Sequence, residues 1–336
     1  MKQIYNAIIY VPVDLSEGKV LKEIIIDENG KISYQVKEKK VLRGLAPSPY
    51  IFQEIAKENE NARYVNVSKT VVGENAHLNL PIAISEIENL VSWLSFITLV
   101  DCRIIRWGSI DEISESGSIK VGYKFNIPSD NLPEPLIDER DGIMQSYKID
   151  SKIIPNFEKF LEVDLTDQVK AILRWYKKGN QSLFPEEKLI FWVTALEGIS
   201  GALHVDGNRE EKCICGHTVE IRDSANKIAL LKFIKELDSN YSRTKIYEPI
   251  WSARSKYVHA ANPKFDYFSE EMNSVLNATK SLLIGFFSYY LFIEKCVPFI
   301  DYDTKFFNHP LIGDISSLKV DIDNFISTGI YKKYLK

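Results

Sequence analysis

Apolar residues recur at every second position in the first part of this chain and at every third or fourth position in the last part. Strands repeat with period 2 and helices with period 3.6, so one repetitive core cannot carry both patterns. The segment "KVLKEIIIDENGKISYQVK", residues 19–37, is two alternating runs joined through Glu28-Asn29-Gly30, and Asn-Gly is a strong hairpin signal. "ARYVNVSKTVV" and "SIKVGYKFNI" continue in the same style, while "SEIENLVSWLSFITLV" places Ile87, Leu90, Leu94 and Ile97 on one helical stripe. Residues 1–130 are therefore expected to form a mixed strand and helix module.

The stretch "IPSDNLPEPLIDERDG", residues 127–142, is dense in proline and acid, and a linker is expected over 131–154. Beyond it the spacing predicts helices in succession over 155–300. Leu165, Val169, Ile172, Leu173 and Tyr176 make one stripe. Leu189, Trp192, Val193 and Leu196 make a second, opened by Pro185 with Glu186 and Glu187 in its first turn. Ile221, Ala225, Ile228, Leu231 and Ile234 suggest a third, and a fourth starts at Pro249 and must stop before Pro263. A long fifth is expected from about Glu270 to Cys296, with 301–336 left as a C-terminal extension. Helices joined mostly by short connections argue for a bundle, and the whole for an α+β chain of two domains.

With 336 residues, two domains are also what length suggests. A composition 45% hydrophobic and 26% charged is that of an ordinary globular protein. A net charge of −4 excludes a globally basic nucleic-acid binder, though not a local basic patch. "MKQIYNAIIYVPVD" lacks the features of a secretory signal, and the apolar run "SLLIGFFSYYLFI", 281–293, is too short to cross a bilayer. Cys102, Cys213, Cys215 and Cys296 form no disulfide framework. A reduced, cytoplasmic protein without membrane attachment is the expectation.

The chemistry concentrates in "WSARSKYVHAAN", residues 251–262. On a helical wheel Ile250, Tyr257, Val258 and Ala261 define an apolar face with Arg254 in its middle, and an arginine there needs a partner. Glu197 lies four residues after Val193 on the apolar stripe of the second helix and is the expected counter-charge, as a structural ion pair or as part of a polar pocket holding Arg254 for a phosphate. His259 falls about 140° from Arg254 on an unbroken helix, so both line one site only if the helix end loosens or a second subunit completes it. An imidazole with an ordinary pKa of about 6.5 suits proton transfer near neutrality.

"IWSARSKYVHAANP" resembles the signature of HEPN domains, an arginine followed by a polar residue and then a histidine after a four-residue gap. The surroundings resemble the Apea-like branch: "FPEEKLIFWVTALEGISG" is similar to its first long helix ending in "ALE", and "IRDSANKIALL" to the helix that follows. The resemblance covers roughly residues 155–296. It implies an all-helical bundle that dimerises around a shared cleft, and a metal-independent endoribonuclease of antiphage, toxin–antitoxin or abortive-infection systems, needing no cofactor. It implies Arg254 as the group stabilising charge on the phosphorane, His259 as general acid and base at the RNA 2′-hydroxyl, Ser255 as the polar position after the arginine, and Lys256 as a candidate RNA contact. The histidine is followed by Ala260 where relatives often have glycine, and Ala261 stands where members paired with nucleotidyltransferases have tyrosine. A regulatory partner or antitoxin therefore remains unspecified. The alternative class is a non-catalytic scaffold binding nucleotides or partners.

Two other constellations compete. His204, Cys213, Cys215 and His217 are zinc-ligand types, but the Cys-x-Cys spacing is tighter than usual and no metal is expected. Asp301/Asp303 and Asp321/Asp323 read as turn or helix-start acids rather than a metal pair. Phosphate-cradling glycine loops and hydrolase elbows are absent from the sequence.

Overall fold

A computed structural model describes residues 2–11, 13–16, 19–38, 64–73, 76–99, 101–113, 119–124, 147–148, 161, 163–203, 208–212, 218–222, 225–259, 270–293, 308–309, 313–314 and 316–334. The chain divides into two units, Met1–Val163 and Asp164–Lys336. The first is α+β.

Eight of the described strands of the first unit form one sheet around β1 (Lys2–Tyr10), which runs antiparallel to β5 (Tyr64–Val72) on one side and β6 (Arg103–Ile113) on the other. β7 (Ile119–Lys124) extends the sheet beyond β6. On the other side β5 pairs in parallel with β3 (Lys19–Ile26). β3 gives one edge to β4 (Ile32–Glu38) and divides the other between β5 and β2 (Val13–Ser16). β8, Tyr147–Lys148, adds to β2 in parallel. These two residues lie inside the span expected to be linker, so part of that span belongs to the sheet.

The expected hairpin is β3–β4. Asp27 closes it, with its carboxylate accepting from the Asn29 and Lys31 amides at 2.8 and 2.9 Å, and only Gly30 takes positive φ, at 82°. A two-residue Asn-Gly turn would need left-handed geometry at both residues. This longer loop needs it at one, which glycine supplies.

Alternation on β1 and β5 turns Tyr5, Ala7, Ile9, Val65, Val67 and Val71 inward. Helix α1 (Ala76–Thr98) packs on β1, β5 and β6, burying its predicted stripe of Ile87, Leu90, Leu94 and Ile97. Its segment Leu78–Thr98 is long and apolar enough to span a membrane by length and composition, yet 56% of the window is buried within the fold. Packing over a sheet accounts for that apolarity. Lys69 is buried on the same face, where its ammonium meets Glu86 of α1 at 2.7 Å and the Asp27 carbonyl at 2.7 Å.

In the second unit, α2 (Asp167–Gln181) starts at Thr166, whose hydroxyl accepts from the Val169 amide at 3.3 Å. It packs on α3 (Pro185–Ala202), the helix that also meets α4 (Ala225–Leu237), α5 (Glu248–His259) and α6 (Glu270–Ile293). The predicted stripes of α2 and α3 are buried. The third stripe was misplaced: Ile221 belongs to strand β10 (Thr218–Arg222), which pairs with β9 (Asn208–Lys212), and α4 buries Ala229, Leu230, Phe233 and Ile234. A strand residue continued the helical spacing by coincidence.

Helix α6 is buried at every position from Ser281 to Ser288, so this apolar run lies in the interior of the second unit. The described part of residues 301–336, set apart as a C-terminal extension, includes regular structure. After the short strands β11 (Asn308–His309) and β12 (Gly313–Asp314), helix α7 (Ser317–Ser327) packs on α6 with Ile322 and Phe325 fully buried. A 3-10 turn at Ile330–Tyr334 lies against α5.

Candidate functional site

One turn of π-helix, Arg243–Tyr247, leads into α5. Ile246 of this turn and Ile250 and Ala253 of α5 are wholly buried, following the 4–3 spacing of a helix face. Val258, expected on that face, is 46% exposed. The buried side therefore keeps Ile250 of the face inferred from Ile250, Tyr257, Val258 and Ala261 but is rotated away from Val258, and Arg254 is half-buried on its flank. Ser255 and Lys256 are exposed. His259 closes the helix.

Glu197 of α3 and Arg254 do not form the expected ion pair. The Glu197 carboxylate accepts from the Trp251 indole N–H at 3.0 Å. Trp251 lies nearly parallel on Tyr247, with ring centroids 4.2 Å apart and an 18° interplanar angle, and Arg243 pairs with Glu248 at 2.8 Å beside them. The Arg254 Nε atom is shut off from solvent and has no hydrogen-bond partner among the described residues. An indole thus takes the carboxylate that the guanidinium was expected to claim, and the cation keeps its capacity for an anion. Trp251 was missed in the sequence. The run Ile246–Ile250–Ala253 could have revealed it, because once that run is the buried face, residue 251 falls beside Glu197.

The rival constellations fare differently. Asp321 accepts from the Ser281 hydroxyl at 2.8 Å, and Asp323 from the Tyr241 hydroxyl at 2.7 Å, while Lys319 joins Asp238 at 2.8 Å and Asp323 at 3.3 Å. Both acids lie within α7 rather than at its start, and each is occupied in tying that helix down. Burial, and then the hydrogen bond to Asp323, push the Tyr241 phenol well above its ordinary range, so it stays a donor. Among the described residues no group of three or more His, Cys, Asp or Glu side chains could hold a metal. His204, Cys213, Cys215, His217, Asp301, Asp303 and the residues 260–263 lie outside the described residues.

No family model, no curated protein and no solved structure matches this chain.

Proposed function

We propose that the second unit is a HEPN-like bundle acting as a metal-independent endoribonuclease, with Arg254 and His259 in a cleft shared by two copies, in antiphage defence, toxin–antitoxin or abortive-infection biology. The observation that carries the reading is the condition of Arg254. A half-buried cation with a solvent-shielded Nε and no hydrogen bond or ion pair to that atom among the described residues keeps its capacity for an anion, and a phosphodiester has the geometry to complete it. The resemblance of residues 250–263 supplies the histidine at the helix end.

In this chemistry the RNA 2′-hydroxyl attacks the adjacent phosphorus. His259 takes the 2′ proton, the new O–P bond closes a 2′,3′-cyclic phosphate, and the P–O5′ bond breaks with a proton returned to the 5′ oxygen. Arg254 bears the extra negative charge of the phosphorane, usually the larger contribution to catalysis. The exposed Lys256 and Ser255 flank this position and can meet the backbone of a bound strand.

Purified full-length protein incubated with total RNA in excess EDTA should cleave it, leave DNA intact and yield 2′,3′-cyclic phosphate ends. His259→Ala should lose at least the roughly 10²–10⁴-fold typical of general acid–base catalysis and remain folded. Light scattering should show a dimer. Cleavage abolished by EDTA, or undiminished in His259→Ala, would overturn the assignment in favour of a non-catalytic scaffold.

A further inference from the structure

We propose that the paired helices α2 and α3 carry a second surface, outside the Arg254 site, that docks single-stranded RNA. Helix α2 exposes Arg174 and Lys178 and half-exposes Lys170 against the single acid Asp167, in a chain whose net charge is −4, while its fourth base, Lys177, is buried. Arg174 and Lys178 stand one turn apart, both exposed, and neither has an ion-pair partner among the described residues. Lys170 is only 3.8 Å from Asp167, whose carboxylate is fully open to water, so that acid neutralises little. The nearby Glu187 is bound to the Ser182 hydroxyl at 2.6 Å.

Beside these two cations lies an aromatic pair. Trp175 of α2 stacks on Phe191 of α3 with centroids 5.7 Å apart and a 28° interplanar angle, and the Lys178 ammonium sits 4.8 Å from the Trp175 ring centroid. Both rings are half-buried, so each keeps some surface open to solvent. Cations that follow a phosphate backbone beside rings on which unpaired bases stack are the elements of single-strand recognition. Phe191 precedes Glu197 on α3 by six residues, about 120° around the helix and about 9 Å along it. The surface therefore faces away from the Trp251–Glu197 contact and serves to hold the strand rather than to cut it. The choice of RNA rests on the ribonuclease reading. Leu183 and Phe184, exposed at the end of α2, would also suit an anionic lipid surface, and the vesicle arm of the test separates the two.

The test is fluorescence anisotropy of a labelled mixed-sequence 20-nucleotide RNA with the full-length His259→Ala protein in EDTA, over a salt series. Arg174→Gln with Lys178→Gln should weaken binding at least tenfold and reduce the slope of log affinity against log salt by about 1.4, the counterion release of two phosphates on a single strand. Trp175→Leu should weaken it at least fivefold and leave that slope unchanged. Polyphosphate and phosphatidylserine vesicles should compete poorly. Binding and slope indifferent to the Arg174/Lys178 pair would overturn the proposal. So would indifference to Trp175→Leu with equal competition by polyphosphate, or preferential capture by vesicles. Circular dichroism confirms folding, and the charge variants, exposed as they are, test the surface even if Trp175→Leu does not fold. Cleavage by the unaltered chain is measured separately: binding without cleavage overturns the ribonuclease reading alone, and cleavage with binding indifferent to these variants overturns this one alone.

Discussion

Arg254 combines two opposing contributions to stability. The side chain is half-buried, which favours its apolar stem, while its Nε is desolvated without a hydrogen-bond partner among the described residues. These offset one another, so Arg254→Met should change unfolding free energy by less than about 1 kcal/mol in urea titrations while removing RNA cleavage. An arginine paired in the core would cost roughly 3–5 kcal/mol to lose its charge, and that outcome would restore the core-stripe assignment. Coupling belongs instead to Trp251 and Glu197. A double-mutant cycle of Trp251→Phe and Glu197→Ala should give about 1 kcal/mol, as expected for one half-exposed hydrogen bond to a charged group, and a value near zero would contradict the contact.

For the elements, the joint between α2 and α3 depends on Gly179. Alanine is the better helix former by about 1 kcal/mol, so propensity alone favours Gly179→Ala. A Cβ at that position would sit 2.3 Å from the Trp192 Nε1 and 2.4 Å from its Cδ1, and Trp192 is only 5% exposed, with little room to move. Overpacking of this kind costs about 1–3 kcal/mol, so the substitution should destabilise in chemical denaturation. In a Trp192→Leu background the penalty should shrink or reverse. If Gly179→Ala stabilises the unaltered chain, the close approach of the two helices is wrong.

At the scale of the molecule, the last helix is held to the second unit through Lys319, which joins Asp238 and Asp323 and lies 5.5 Å from the Tyr241 ring centroid. The hydrogen bond from Lys319, then that from the Asn240 amide, hold the Asp238 carboxyl below the usual aspartate range. A group depressed in the folded state stabilises above its unfolded pKa and loses that contribution as pH falls through its folded value. The acid-side loss therefore begins below about pH 4. Asp238→Asn should lower the thermal midpoint at pH 7 and make it fall less steeply between pH 4 and pH 2. Parallel pH profiles for the two proteins would show that this contact contributes nothing to the pH dependence.

Local information alone settled several features of this protein: the change of period, the β3–β4 hairpin at Asn29-Gly30, the start of α3 at Pro185, and the buried stripes of α1, α2 and α3. Each is written within a turn or two of chain, in backbone preferences and side-chain spacing. Arg254, His259 and Glu197 also stand out in the sequence as polar residues on largely apolar helices. The buried face of α5 was legible only in part, through Ile250, since a short helix with apolar residues on several sides takes its rotation from the helices it meets. That rotation gave Glu197 to Trp251 and left Arg254 on the flank. The docking of α7 on α6, and the burial of Lys69 against Glu86, were likewise decided by contacts between residues distant in sequence, whose energies appear only when the fold brings them together.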